Sequence, residues 1–176
     1  MAEPFVIFPG IDGNNVTTPD DPVLHVPGNF SINIDCAPIT WKPGTSHIGF
    51  LSRWAGSFAI TTNTTDSIQY NIVTDAGSIE GKFLNVTTDL ADGSRHVIRI
   101  EFRFGVDALL LIDGIEVSSA SLGAASTLVA GADQLLVGAL DSSTFPFEGE
   151  MYLSELVDDT GPGIVADFNP ADIVLP

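Results

Sequence analysis

His96-Val97-Ile98-Arg99-Ile100-Glu101-Phe102-Arg103-Phe104 alternates without a break. Ile98, Ile100, Phe102 and Phe104 fall on one side, and Val97, Arg99, Glu101 and Arg103 on the other. Successive side chains of a β-strand point to opposite faces, whereas a helix returns to one face every 3.6 residues, so this stretch predicts a half-buried strand. The same period of two runs through residues 30–36, where Phe30, Ile32, Ile34 and Cys36 oppose Ser31, Asn33 and Asp35. It returns in residues 48–54, with Ile48, Phe50, Ser52 and Trp54 sharing a side. Further strands are predicted at residues 5–8, 67–73, 134–137 and 148–157, the first expected to pair near the last. No window of a dozen residues carries a helical stripe.

Turn chemistry divides these strands. In Leu109-Leu110-Leu111-Ile112-Asp113-Gly114-Ile115-Glu116-Val117 the Asp-Gly pair supplies the two positive-φ positions of a tight type I′ hairpin turn. Residues 53–58 read as a second turn between strands. Of the 11 prolines, none lies between Gly44 and Phe145. Because proline cannot donate to a ladder, that span is the part free to form sheet interior. No internal repeat or linker interrupts the chain, and residues 1–176 are read as one domain, an all-β sandwich.

Three passages carry a resemblance. The first is Phe8-Pro9-Gly10-Ile11-Asp12-Gly13-Asn14-Asn15-Val16-Thr17-Thr18-Pro19-Asp20. The second pairs Asp92-Gly93-Ser94-Arg95-His96-Val97-Ile98-Arg99-Ile100 with the Asp113-Gly114 hairpin. The third is Leu135-Leu136-Val137-Gly138 followed by Phe147-Glu148-Gly149-Glu150-Met151. Their order resembles the concanavalin A-like, or laminin-G-like, jelly-roll superfamily, an antiparallel two-sheet sandwich. The second passage matches that family's "DG-x-x-H" strand and "L-x-x-DG-x-x-V" hairpin, with Arg95 where the family often has Trp. The opening segment, and Val165-Ala166-Asp167-Phe168 near the end, are similar to jelly rolls in phage structural proteins.

Composition limits the chemistry. Six Lys and Arg stand against 23 Asp and Glu, a formal net charge of -17. Phosphate neutralisation needs clustered cations, so nucleic acid is excluded as a partner. No apolar run approaches the roughly 20 residues of a membrane-spanning helix. Met1-Ala2-Glu3-Pro4 lacks the basic start and apolar core of a secretory leader, and the chain is expected to be made in a host cytoplasm. Cys36 is the single cysteine and is expected to be a buried structural thiol.

No standard catalytic motif is present, and the chain is read as non-enzymatic. Glu148 and Glu150 share a strand face, as glucanase carboxylates of this superfamily do, but Gly149 separates them and Leu153 occupies the place of that family's third acid. His25, His47 and His96 are the three histidines, and His96 matches the family's structural histidine. No cofactor is expected. Ca²⁺ is the metal that the oxygen ligands at Asp12, Asn14, Asp20, Asp21, Asp158 and Asp159 would suit, and turn formation is the competing role for them. Trp41, Trp54 and Tyr70 are the aromatic candidates for ligand or interface contact, with core packing the competing role for Trp54.

The resemblance to phage jelly rolls implies a virion structural or accessory protein, a capsid decoration or tail component acting through docking. Its partners would be other virion proteins, and a symmetric oligomer, a trimer, is the expected state. The alternative from the same superfamily is a carbohydrate-binding or host-adhesion module that takes a surface glycan in the loops at one end of the sandwich.

Overall fold

A computed structural model describes residues 4–18, 24, 26–41, 47–53, 57–64, 67–75, 77–123, 128–129, 134–140 and 144–172. Thirteen strands are defined among them: β1 (Val6–Pro9), β2 (Val16–Thr18), β3 (Phe30–Pro38), β4 (Ile48–Arg53), β5 (Phe58–Thr62), β6 (Ser67–Thr74), β7 (Gly77–Asn85), β8 (His96–Arg103), β9 (Asp107–Ile112), β10 (Ile115–Ser121), β11 (Leu135–Val137), β12 (Glu148–Asp158) and β13 (Gly163–Phe168). A short 3-10 turn at Pro170–Asp172 follows. No helix among the described residues is long and apolar enough to cross a membrane.

The strands form two antiparallel sheets. One runs β1-β12-β3-β8-β9-β10 with β13 also on β12; the other runs β2-β11-β4-β5-β6-β7. β1 pairs with the first part of β12 and β13 with its last part, so the early strand expected to pair near the end of the chain does so. Residues 96–103 alternate as read: His96, Ile98, Ile100 and Phe102 are buried, and Val97, Arg99, Glu101 and Arg103 are not. Phe30 pairs with Phe102 across the ladder, and their rings stack at 4.5 Å. Tyr70 of β6 meets Phe102 edge-on at 5.3 Å from the opposite sheet, which places the core between the sheets. Each such ring removes 150–250 Å² from water, about 4–6 kcal/mol at 25 cal/mol per Å².

The outward positions of β3, β8 and β12 are tied by charge. Arg99 donates to Glu101 at 2.8 Å and to Asn33 at 3.0 Å, and Asn33 donates on to Glu155 at 2.8 Å. Arg103 grips Asp107 with two bonds, at 2.7 and 2.8 Å. Arg95 does the same to Asp35, at 2.6 and 2.5 Å, while its guanidinium lies 4.1 Å from the centre of the Tyr152 ring. The paired cations therefore brace the wet face of the first sheet.

The hairpin turn forms as its sequence dictates, with Asp113 at φ 53° and Gly114 at φ 78°. β4 departs from strict alternation. All six of its residues are buried, because a register shift between Gly49 and Leu51 turns the strand and the chain after β11 covers its other side. Gly49 makes that cover possible: a Cβ there would lie 2.3 Å from the backbone of Ala139 and Leu140. Residues 54–56, including Trp54 and the middle of the turn read at 53–58, lie outside the described residues.

Candidate functional site

Among the described residues an open cleft of about 490 Å³ lies at one end of the sandwich. It gathers residues from three connections: Asp12 after β1, Thr40 and His47 between β3 and β4, and Thr144 and Phe145 before β12, with Glu148 opening β12. Backbone bonds hold the third connection against β4. Gly138 N–H donates to Phe50 at 2.9 Å, Phe147 N–H to Gly138 at 2.8 Å, and Gly49 N–H to the Phe145 carbonyl at 2.7 Å. The Ser52 hydroxyl adds a bond to the Leu140 carbonyl at 2.5 Å.

Phe145 is held against its preference. It has φ 54°, left-handed backbone that bulky side chains avoid, and it precedes Pro146, which further biases a residue toward extended conformation. Such strain costs about 1–3 kcal/mol and persists where the surroundings over-determine it. Its effect is to set the phenyl ring in the cleft wall, edge-on to His47 at 5.2 Å between centroids. His47 Nδ1 lies 2.7 Å from the Thr62 carbonyl oxygen. A carbonyl only accepts, so Nδ1 carries a proton. Thr40 Oγ1 donates to Glu148 Oε2 at 2.8 Å. Gly10 closes over this carboxylate with φ 67°, and a Cβ there would meet Glu148 Cβ at 3.0 Å, so glycine is needed on both counts.

The aromatic candidates from the sequence are elsewhere. Trp41 is 1% exposed and packs on Phe50 at 5.8 Å, and Tyr70 is fully buried, its hydroxyl without a hydrogen-bond partner. Neither presents a face to a ligand, which corrects the sequence reading of both: Tyr70 lies on the inward side of β6 against Phe102, and Trp41, in the connection after β3, packs on Phe50. Trp54 lies outside the described residues. Phe145 was missed because aromatic platforms were sought among Trp and Tyr; the sequence signal was an aromatic preceding proline in a loop.

Glu148 and Glu150 do lie on one side of β12, but they open onto different depressions. Glu148 lines the large cleft, whereas Glu150 lines a hollow of about 330 Å³ with Pro38 and Ile39 and accepts a 2.6 Å bond from Tyr152. Among the described residues no three His, Cys, Asp or Glu form a group that could hold a metal ion. Asp158 instead accepts two bonds from Thr160, at 2.9 Å each, and Asp159 accepts one from Ser31 at 3.1 Å. Asp20, Asp21 and His25 lie outside the described residues.

His96 is a clamp. Its Nδ1 is 2.9 Å from Asp113 and its Nε2 is 3.2 Å from Asp92, so two of the three Asp-Gly pairs of the sequence converge on one ring. Burial disfavours the charged imidazolium, but the bonds to Asp113 and Asp92 outweigh it and the pKa lies above the ordinary imidazole value. Cys36, beside it on β3, is fully buried; desolvation, then the charges of Asp35 and Asp113, push its thiol far above the usual range. It is a structural thiol.

No family model matches the sequence, and no curated protein matches it. Solved structures do match in fold. The CBM40 domain of the Ruminococcus gnavus IT-sialidase, bound to α2,3-sialyllactose, aligns with a TM-score of 0.66 at 12% identity over 91% of this chain and 92% of that one. Domains LG4-5 of the mouse laminin α1 chain align at 0.63 with 15% identity, over 93% of this chain and 44% of that one. A carbohydrate-binding protein from Bacteroides ovatus, so described as putative, aligns at 0.63 with 11% identity, over 87% of this chain and 44% of that one. Two antiparallel sheets around one core, with these likenesses, give the chain the concanavalin A-like, laminin-G-like jelly-roll fold.

Proposed function

We propose that the domain is a glycan-binding module and that the sugar sits in the cleft between Phe145 and Glu148. The observation that carries this reading is the strained Phe145, whose ring stands in one wall of a cleft that also holds two threonine hydroxyls, an imidazole and two carboxylates beside Ile48 and Pro146. A sugar ring has an apolar C–H face and a polar hydroxyl edge, and such sites pair an aromatic wall with a few placed polar groups. Strain of this kind is kept where it aims a side chain for use. The likeness in fold to a CBM40 domain bound to sialyllactose supports the same reading. Because Glu148 and Glu150 serve different depressions, the pair favours binding over hydrolysis.

The virion reading rests on the resemblance of the opening segment and of Val165-Ala166-Asp167-Phe168. The trimer belongs to that reading and has no support from the fold.

A glycan array probed with the purified chain and with Phe145→Ala tests the proposal. Binding to a restricted set of glycans, lost in the variant while its melting temperature holds, is the expected result. No binding by the parent chain, or equal binding by the variant, would overturn it.

A further inference from the structure

Among the described residues the acidic groups that line the cleft, Asp12 and Glu148, are hydrogen-bond acceptors when ionised, and the hydroxyls of Thr40 and Thr144 stand beside them. The Thr40 hydroxyl spends its single proton on Glu148, leaving lone pairs. The Nδ1 proton of His47 is spent on the Thr62 carbonyl. No Lys or Arg lines the cleft among the described residues. Arg95, Arg99 and Arg103 are ion-paired to Asp35, Glu101 and Asp107 on the outer face of the first sheet, and Arg53 is buried and donates to the Leu24 carbonyl.

A ligand for such a surface must bring the protons. The hydroxyls of a neutral sugar do so, and a protonated amine does so with charge, which roughly doubles the strength of each bond. A sugar carboxylate or sulfate brings only acceptors and a charge of the same sign as Asp12 and Glu148. The net charge of -17 repels anionic ligands further during approach.

We infer that the cleft selects glycans by donor content, taking amino sugars over their neutral parents and rejecting carboxylated sugars such as uronates and sialosides. This rests on the glycan-binding reading of the same cleft. It adds what that reading leaves open, the class of sugar.

The test holds the sugar frame constant and changes one group. Oligosaccharides of glucose, glucosamine with a free amine, and glucuronate are titrated at neutral pH and moderate salt, with galactose-frame counterparts and sialyllactose as further arms. In whichever frame binds, the amine form is expected to bind about tenfold tighter than the neutral parent, and the uronate at least tenfold weaker. The double variant Asp12→Asn with Glu148→Gln keeps acceptor oxygens but removes both charges. It is expected to fold, by its melting curve, and to collapse the spread between the three forms to within about threefold. Binding of sialyllactose or a uronate as tightly as the neutral sugar, or an unchanged order in the double variant, would overturn the selectivity while leaving glycan binding in place. Failure of every arm would overturn the glycan reading and the selectivity together.

Discussion

Replacing His96 by Gln removes the titrating group from the point where two Asp-Gly motifs meet. In the folded protein the ring bonds Asp113 at 2.9 Å and Asp92 at 3.2 Å, with its own side chain 11% exposed and the two carboxylates about half exposed, at 49% and 50%. Two charge-assisted bonds in so wet a setting, less what Gln can recover, contribute about 1–2 kcal/mol. For a chain of this size that is roughly 2–8 °C in melting temperature. The sign with pH follows from the direction of the shift. His96 titrates higher folded than unfolded, so its contribution is complete below the ordinary imidazole value and fades as pH rises through the folded one. Asp92, held down first by its bond from Ser94 N–H and then by His96, and Asp113, where the His96 and Val97 bonds overcome desolvation, titrate lower when folded. Their contribution is present above the ordinary carboxylate value and is lost in acid. The gap between parent and His96→Gln should therefore be widest between those limits, near about pH 5.5, and narrower near about pH 8.5. Differential scanning fluorimetry of both proteins across that range reads it, and the comparison cancels the general effect of the -17 charge. A gap that is constant, or that widens toward alkaline pH, would refute the clamp.

Other changes should behave as follows. Arg95→Ala leaves Asp35, 12% exposed, without its bidentate partner and uncovers Tyr152; urea denaturation should show a loss of about 2–3 kcal/mol, and Arg95→Lys should recover only part of it. Gly49→Ala drives a methyl group into the Ala139–Leu140 backbone, which no side-chain rotation relieves, so circular dichroism should show a loss of about 3 kcal/mol or more, or no folded protein. Phe145→Asn suits left-handed backbone better than Phe and removes the ring, so the melting temperature should hold or rise while affinity for any glycan bound by the parent falls about tenfold or more. Cys36 should resist a thiol reagent until the protein unfolds; rapid labelling in native buffer would contradict its burial.

The fold was legible where one face of a strand is wet. Residues 96–103 showed their alternation because Val97, Arg99, Glu101 and Arg103 are not buried, whereas in residues 30–36 the polar side keeps the alternation in residue type although Ser31 and Asp35 are buried and only Asn33 is not. β4 alternates in residue type at Ile48, Phe50 and Ser52, but the Ala139–Leu140 connection buries its second side too, so there the period marks a strand and not a wet face. β7 escaped notice because register shifts break its alternation against β6. β2 is three residues long and gains its identity only from pairing with β11. The site was less legible still. His96 could be found because both of its partners sit in recognisable Asp-Gly turns, close in sequence to the strands they brace. The cleft draws on connections from Gly10 to Glu148, and nothing local in any one of them announces the others. Trp41 and Tyr70 were the obvious aromatics and are core; the ring that faces the cleft is Phe145, placed there by a backbone conformation that its own type resists.

The most direct measurement is a crystal structure of the chain soaked with the tightest-binding glycan from the array. A sugar ring packed against Phe145 with its hydroxyls donating to Glu148 and Asp12 is the predicted result. A sugar bound on another surface, such as the outer face of the first sheet beside Tyr152 or the hairpin at Asp113, with the cleft left empty, would contradict the account.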